Sequence, residues 1–136
     1  MTTPPHRTAR GLRCLAGAIL LTGCATSNSL QPGSGGTFAL RGYTYDEVFR
    51  AATGVVYRDF MISELDRSRG VIRAETHTAT GAPGGGMVGV FITPPDRPSD
   101  EYTVEIKSLN KYGVQIAGED WEKTLRERIQ AELPAK

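Results

Sequence analysis

The stretch Glu101-Tyr102-Thr103-Val104-Glu105-Ile106-Lys107 alternates polar and apolar at every position. A period of two fits a pleated strand and no helix, so Tyr102, Val104 and Ile106 face a core while Glu101, Thr103, Glu105 and Lys107 face water. Such a strand needs neighbours for its backbone and a layer over its apolar side. The surrounding sequence supplies both. Residues 60–65 and 71–77 read as two strands joined by Asp66-Arg67-Ser68-Arg69-Gly70, with Asp opening the turn and Gly closing it. In the second strand Ile72, Ala74 and Thr76 alternate with Arg73, Glu75 and His77, which predicts one wet face. Residues 79–86 read as a Gly-rich loop. Residues 87–92 are too apolar and β-branched for anything but a buried strand, which Pro94, Pro95 and Pro98 stop. Residues 37–41 read as a short strand, and 114–116 add another after a turn at 110–113.

Two helices provide the layer. Thr44 and Glu47 form a capping box, and Tyr43 and Val48 occupy the two positions of a hydrophobic staple. Val48, Ala52, Val55 and Val56, with Tyr45 and Phe49 alongside, give this helix one apolar face. Gly54 weakens it by about 1 kcal/mol relative to Ala; the alternative reading is a point of close packing on a sheet. The second helix runs over about residues 119–133, with Trp121, Leu125, Ile129 and Leu133 in an i, i+4 stripe. Glu119, Asp120 and Glu122 complement the positive end of its dipole. Glu119–Lys123 and Glu122–Arg126 are spaced to pair, and Pro134 ends it. The order β-α-β-β-β-β-(β)-α predicts an α+β fold: a two-layer sandwich of an antiparallel sheet with two helices on one face.

Ahead of this body lies a different kind of sequence. Three of the 16 basic residues, Arg7, Arg10 and Arg13, precede Cys24, and no acidic residue does. Residues 14–21 are an apolar run, about half of the roughly 18 residues that span a bilayer. A basic segment followed by a short apolar run is the layout of a secretory signal peptide. From residue 24 onward 13 basic side chains stand against 15 acidic ones, a net −2. A body so balanced does not have the charge of a nucleic-acid binder. Its two cysteines, Cys14 and Cys24, both lie in or at the end of the leader, so no disulfide would staple the domain.

The apolar run ends in Leu21-Thr22-Gly23-Cys24. This tetrapeptide resembles the lipobox of bacterial lipoproteins: an aliphatic residue, two small residues and a cysteine whose thiolate takes a diacylglyceryl group. The resemblance implies cleavage between Gly23 and Cys24, and acylation at Cys24 and at the new amino terminus. At about 0.8 kcal/mol per buried CH₂, two or three chains anchor stably where one does not. Ala25 follows the cysteine. By the same resemblance a residue other than aspartate there implies export to the outer membrane, facing the periplasm. Residues 25–36 are small, polar and rich in Gly and Ser, which predicts a flexible tether spanning about 20 Å. The expected organisation is a signal peptide over 1–23, a lipidated cysteine and tether over 24–36 and a globular domain over 37–134. The body, with "GVIRAE", "VGVFITPP" and "YTVEIKSLN…DW", resembles small α+β lipoproteins of the bacterial envelope, many of them uncharacterised. Its element order resembles the small domains of lipoproteins in the β-barrel assembly machinery, a likeness of topology that carries no function with it.

A search for chemistry leaves little. His77 is the one histidine after the leader, at a position read as solvent-facing. Gly84-Gly85-Gly86 lacks the Lys-Ser/Thr of a phosphate loop and precedes a strand. Thr93-Pro94-Pro95-Asp96-Arg97-Pro98 reads as a stiff loop, Trp121 as a core anchor, and Glu119/Asp120 and Asp100/Glu101 as element ends. No catalytic set, metal site or cofactor site is expected. The expectation is a membrane-anchored, non-enzymatic envelope lipoprotein, held through Cys24, that binds an envelope protein or supports an assembly. The alternative is a small periplasmic hydrolase or ligand carrier.

Overall fold

The computed structural model describes residues 30–76, 85–93, 99–110 and 120–135. Most of the loop at 79–86, the Pro-rich loop over 94–98, the strand expected at 114–116, Glu119 and His77 lie outside these residues. Five strands and two helices follow in the expected order: β1 (Gly36–Arg41), α1 (Tyr45–Asp59), β2 (Phe60–Asp66), β3 (Val71–Thr76), β4 (Gly86–Ile92), β5 (Glu101–Asn110) and α2 (Trp121–Glu132). The strands form one antiparallel sheet in the order β1-β5-β4-β3-β2. The fold is therefore α+β, as the patterning predicts. β1 and β2 lie at opposite edges, about 19 Å apart across four strand spacings. The 15 residues of α1 make a rod of about 22 Å, long enough to carry the chain from one edge to the other.

α1 begins where the sequence places it. The Glu47 N–H donates to Thr44 Oγ1 at 3.3 Å, and the Thr44 N–H donates to Glu47 Oε2 at 2.6 Å. Tyr43 packs against the core cluster to which fully buried Val48 belongs. α2 begins at an Asp120 cap, whose carboxylate accepts the Lys123 N–H at 3.1 Å. Val48, Ala52, Val55 and Val56 of α1, and Leu125 and Ile129 of α2, meet Phe60, Ile72, Val90 and Ile106 of the sheet, all essentially inaccessible. Trp121 stands edge-on to Phe60 with ring centroids 4.8 Å apart. Arg58–Glu132 at 2.8 Å and Arg128–Asp59 tie the two helices at their exposed side. The expected Glu122–Arg126 pair does not form. Glu122 Oε1 instead accepts the Ser108 N–H of β5 at 3.1 Å, and the Arg126 guanidinium lies over the Phe38 ring.

The expected wet face of β3 is overturned. Val71, Ile72, Arg73 and Ala74 are all buried, because the face of the sheet opposite the helices has its own apolar cluster of Leu30, Val71, Met87 and Phe91, with Leu109 against it. Gly54 is a second correction. A Cβ built there meets nothing within 4 Å, so this glycine faces open space and does not pack on the sheet.

The β2–β3 turn is locked from both sides. The Asp66 carboxylate accepts the Ser68 hydroxyl at 2.6 Å, the Arg69 N–H at 3.0 Å and the Arg69 Nε–H at 2.6 Å. These bonds hold its carboxyl well below the usual range. Gly70 has φ +67°, its carbonyl accepts the Ile92 N–H at 2.8 Å, and a Cβ there would stand 1.8 Å from the Ile92 oxygen. Gly70→Ala is therefore expected to cost about 2–4 kcal/mol through strain and the collision. Gly54→Ala should instead stabilise by about 1 kcal/mol. Urea unfolding of the two variants, with m unchanged, checks both signs.

Candidate functional site

The residues singled out for chemistry, Leu21, Thr22, Gly23 and Cys24, lie outside the described residues. The described chain starts at Leu30, six positions beyond Cys24, and it starts packed. Leu30 is completely buried among Val71, Met87 and Phe91. The Phe91 ring lies over Gly89, whose missing side chain leaves the floor on which Leu30 rests. From 30 to 35 the segment expected to be a loose tether is a strap across the second face of the sheet.

Three charged groups fasten the strap. Arg73, only 7% exposed, donates from Nε to the Leu30 carbonyl at 3.0 Å, pairs through Nη1 with Glu64 and stacks over Phe91. Glu105 receives a fan of backbone donors. Gly33 N–H reaches Oε1 at 2.7 Å and Oε2 at 2.9 Å, while Ser34 N–H at 2.9 Å and Gly35 N–H at 2.8 Å reach Oε1. Consecutive amides converge on one carboxylate only because Gly33 adopts φ +116° and Gly35 passes against the β5 backbone, where a Cβ would meet the Ile106 oxygen at 2.2 Å. Lys107 adds a bond to Ser34 Oγ at 2.6 Å. Burial pushes the Glu105 carboxyl up, but the Gly35, Gly33 and Ser34 amides together outweigh it and leave the group below its ordinary value.

The other feature is an open groove of about 520 Å³ on the helix side of the β2 edge. Asp46, Phe49, Arg50, Thr53, Gly54 and Tyr57 line it from α1 and recur at helical spacing. Leu65 lines it from β2, and Arg67, ion-paired with Asp46, closes one end. The large apolar side chains that stay exposed gather around this edge: Tyr57 at 72%, Leu65 at 51% and, on the opposite face of β2, Met61 at 56%. Arg50 at the lip makes no ion pair among the described residues.

A single irregularity sets both features. The β2–β3 register shifts between Ile62 and Glu64, so Ser63 is an extra residue in the ladder. Beyond this bulge Glu64 faces the strap side opposite Arg73, and Leu65 pairs with Ile72 on the helix side. Without the bulge the two would exchange faces. Sequence reading missed the strap, the bulge and the groove. The one available signal for the groove is the 46/49/50/53/54/57 spacing, which lies beside the core stripe of α1.

Among the described residues no group of three His, Cys, Asp or Glu side chains is placed to hold a metal ion. No described helix is long and apolar enough to cross a membrane. No protein-family model matches the chain, and comparison with curated proteins gives no match.

The strap makes two predictions. Leu30→Ala should cost about 2–4 kcal/mol, as a buried leucine does. Glu105→Gln should cost about 1–2 kcal/mol at neutral pH, because charge-assisted bonds are lost. The lowered Glu105 pKa sets the sign with pH. Its contribution is complete above the ordinary value of 4.5 and is lost as pH falls below it through the folded-state value. The gap between wild type and Glu105→Gln should therefore narrow on acidification below about pH 4.5, while Asp66 leaves both proteins a common acid slope. Urea titrations at several pH values measure this gap.

Proposed function

We propose that this chain is a lipid-anchored module of the bacterial cell envelope that binds an envelope protein or supports an assembly, without catalysing a reaction itself. The observation that carries the anchor is the sequence Leu21-Thr22-Gly23-Cys24 behind a basic segment and a short apolar run. Cys24 is the acylated residue, and Ala25 directs the protein to the outer membrane, on its periplasmic side. Packing of the chain from Leu30 onward supports a shorter free tether than the Gly/Ser content suggests. Six residues have an average reach of about 13 Å, so the domain works beside its membrane.

The groove at the β2 edge supports the binding role. Isolated exposed leucines are ordinary, but Tyr57 and Leu65 flank one concavity, and grouped apolar exposure marks contact sites. An extended segment with an apolar side chain between Tyr57 and Leu65 and a carboxylate against Arg50 fits the chemistry of the walls. The groove volume also falls in the range of small-molecule sites, roughly 300–1,000 Å³, which favours a ligand carrier as the second reading.

Three measurements test the proposal. Cys24→Ser should leave the protein unprocessed or move it out of the membrane fraction. The mass of the mature amino terminus should include acyl chains, and cleavage elsewhere or a free Cys24 thiol sinks the anchor. A photo-crosslinker at Leu65 or Tyr57 should capture an envelope protein in intact cells, whereas one at Glu127 on the outer side of α2 should not. Leu65→Asp should abolish that capture while changing stability by no more than about 0.5 kcal/mol. Retention of an apolar small molecule in place of a protein adduct moves the assignment to the ligand carrier.

A further inference from the structure

We infer that the strap face of the sheet is held against the lipid bilayer, so that the helix layer and the α1–β2 groove point away from the membrane. The inference rests on acylation of Cys24 and adds to it an orientation that acylation alone does not give. A lipid on a long tether leaves a domain free to tumble. Here the anchor point is fixed in the middle of one face. Leu30 lies over β3 and β4, plugged among Val71, Met87 and Phe91, with its carbonyl held by Arg73. Residues 33–35 are pinned to Glu105 of β5. The pull of the anchor therefore enters the domain at Leu30, wherever the chain ahead of it runs.

Length then excludes the helix layer as the side that faces the lipid. Cys24 and Leu30 are six residues apart, and a fully extended chain spans at most about 22 Å over that distance. To bring the helices down onto the bilayer, this leash would have to pass around an edge of the domain. It would cross one to two strand spacings to β2, roughly 5–10 Å, and then the thickness of the sheet and a helix, roughly 20 Å. The path of about 25–30 Å exceeds the leash. With the strap face down, the leash spans the gap to the bilayer with length to spare.

The partner is thus a phospholipid surface, and the contact is one of tethering, not of charge attraction. Among the described residues the basic groups on this face are engaged within the protein, Arg41 by Glu101, Arg73 by Glu64 and Lys107 by Ser34, while Glu105 is held by the strap amides and Glu75 adds a negative charge. Among the described residues no surplus basic patch is left on this face to draw anionic headgroups, so the orientation should be insensitive to salt, unlike electrostatic adsorption.

The test uses the full acylated protein in phosphatidylcholine/phosphatidylglycerol vesicles that contain headgroup-nitroxide lipid. Acylated Cys24 is a thioether and does not take a maleimide, and Cys14 departs with the leader, so one engineered thiol can be labelled. Thr103→Cys places the fluorophore on the strap face beside Glu105, and Ala131→Cys places it on the exposed side of α2. Quenching at position 103 should exceed that at 131 severalfold, at low and high salt alike. Inserting about 20 Gly/Ser residues after Thr26 raises the average reach to about 28 Å and should erase the difference. Equal or reversed quenching in protein shown by mass to be acylated overturns the orientation and leaves the anchor standing. Labelling of Cys24 in the unsubstituted protein, or a mass without acyl chains, overturns both. A difference that survives the long insertion also overturns the inference, because the leash would not then be its cause.

Discussion

A five-stranded sheet has two faces, and two helices of 15 and 12 residues cover one of them. Val71, Met87, Phe91 and Leu109 project from the other. Left open, they would form a contiguous apolar patch of the kind that soluble domains hide or use for binding. Leu30 closes it, inserted from a stretch whose other members are small or polar. Among the described residues Arg73 adds to that cover: its guanidinium lies over Phe91 while its charge is neutralised by Glu64. A long cationic side chain used flat, with its head paired, covers apolar surface nearly as well as a hydrophobic one.

That arrangement is polar where a simpler solution would be apolar, and the cost shapes it. A buried guanidinium must recover its lost hydration from partners. Arg73 finds a carboxylate, a backbone carbonyl and an aromatic face. Glu105 solves the converse problem. It takes up the amides of a segment that has no secondary structure to satisfy them. The two residues sit on neighbouring parts of the sheet and carry opposite charges. Each fixes one end of the strap with the group that end offers: a carbonyl for the arginine, N–H groups for the glutamate.

Local signals were legible in the sequence and long-range ones were not. The capping box at Thr44 and Glu47, the Tyr102–Val104–Ile106 alternation and the Trp121–Leu125–Ile129 stripe each lie within one helix or one strand, where spacing determines contact. The wet face expected for β3 failed because alternation tells which side chains share a face, not what covers that face. The cover came from Leu30, 43 residues from Arg73, in a Gly/Ser stretch with no period to read. The misplaced Gly54 has the same origin: a glycine in a helix signals room, but whether sheet or solvent uses that room is a tertiary fact. The proposed lipobox rests on a different kind of signal, because such a motif is read as an extended peptide by processing chemistry and does not depend on a fold.

The bulge at Ser63 joins these two kinds of information. A strand keeping strict alternation through residues 60–66 would turn Glu64 toward the helices and Leu65 toward the strap. Glu64 would then sit at the rim of an apolar core, Arg73 would be buried without its carboxylate, and the groove would lose its β2 wall. One extra residue puts each side chain on the face that needs it. The bulge also interrupts the ladder of an edge strand and so blunts strand-to-strand association there. The groove is thus left accessible at an edge that resists uncontrolled pairing. Strap face and groove face are therefore set by a single backbone event. A change that straightened β2 would disturb the fastening of the stem and the shape of the groove at the same time.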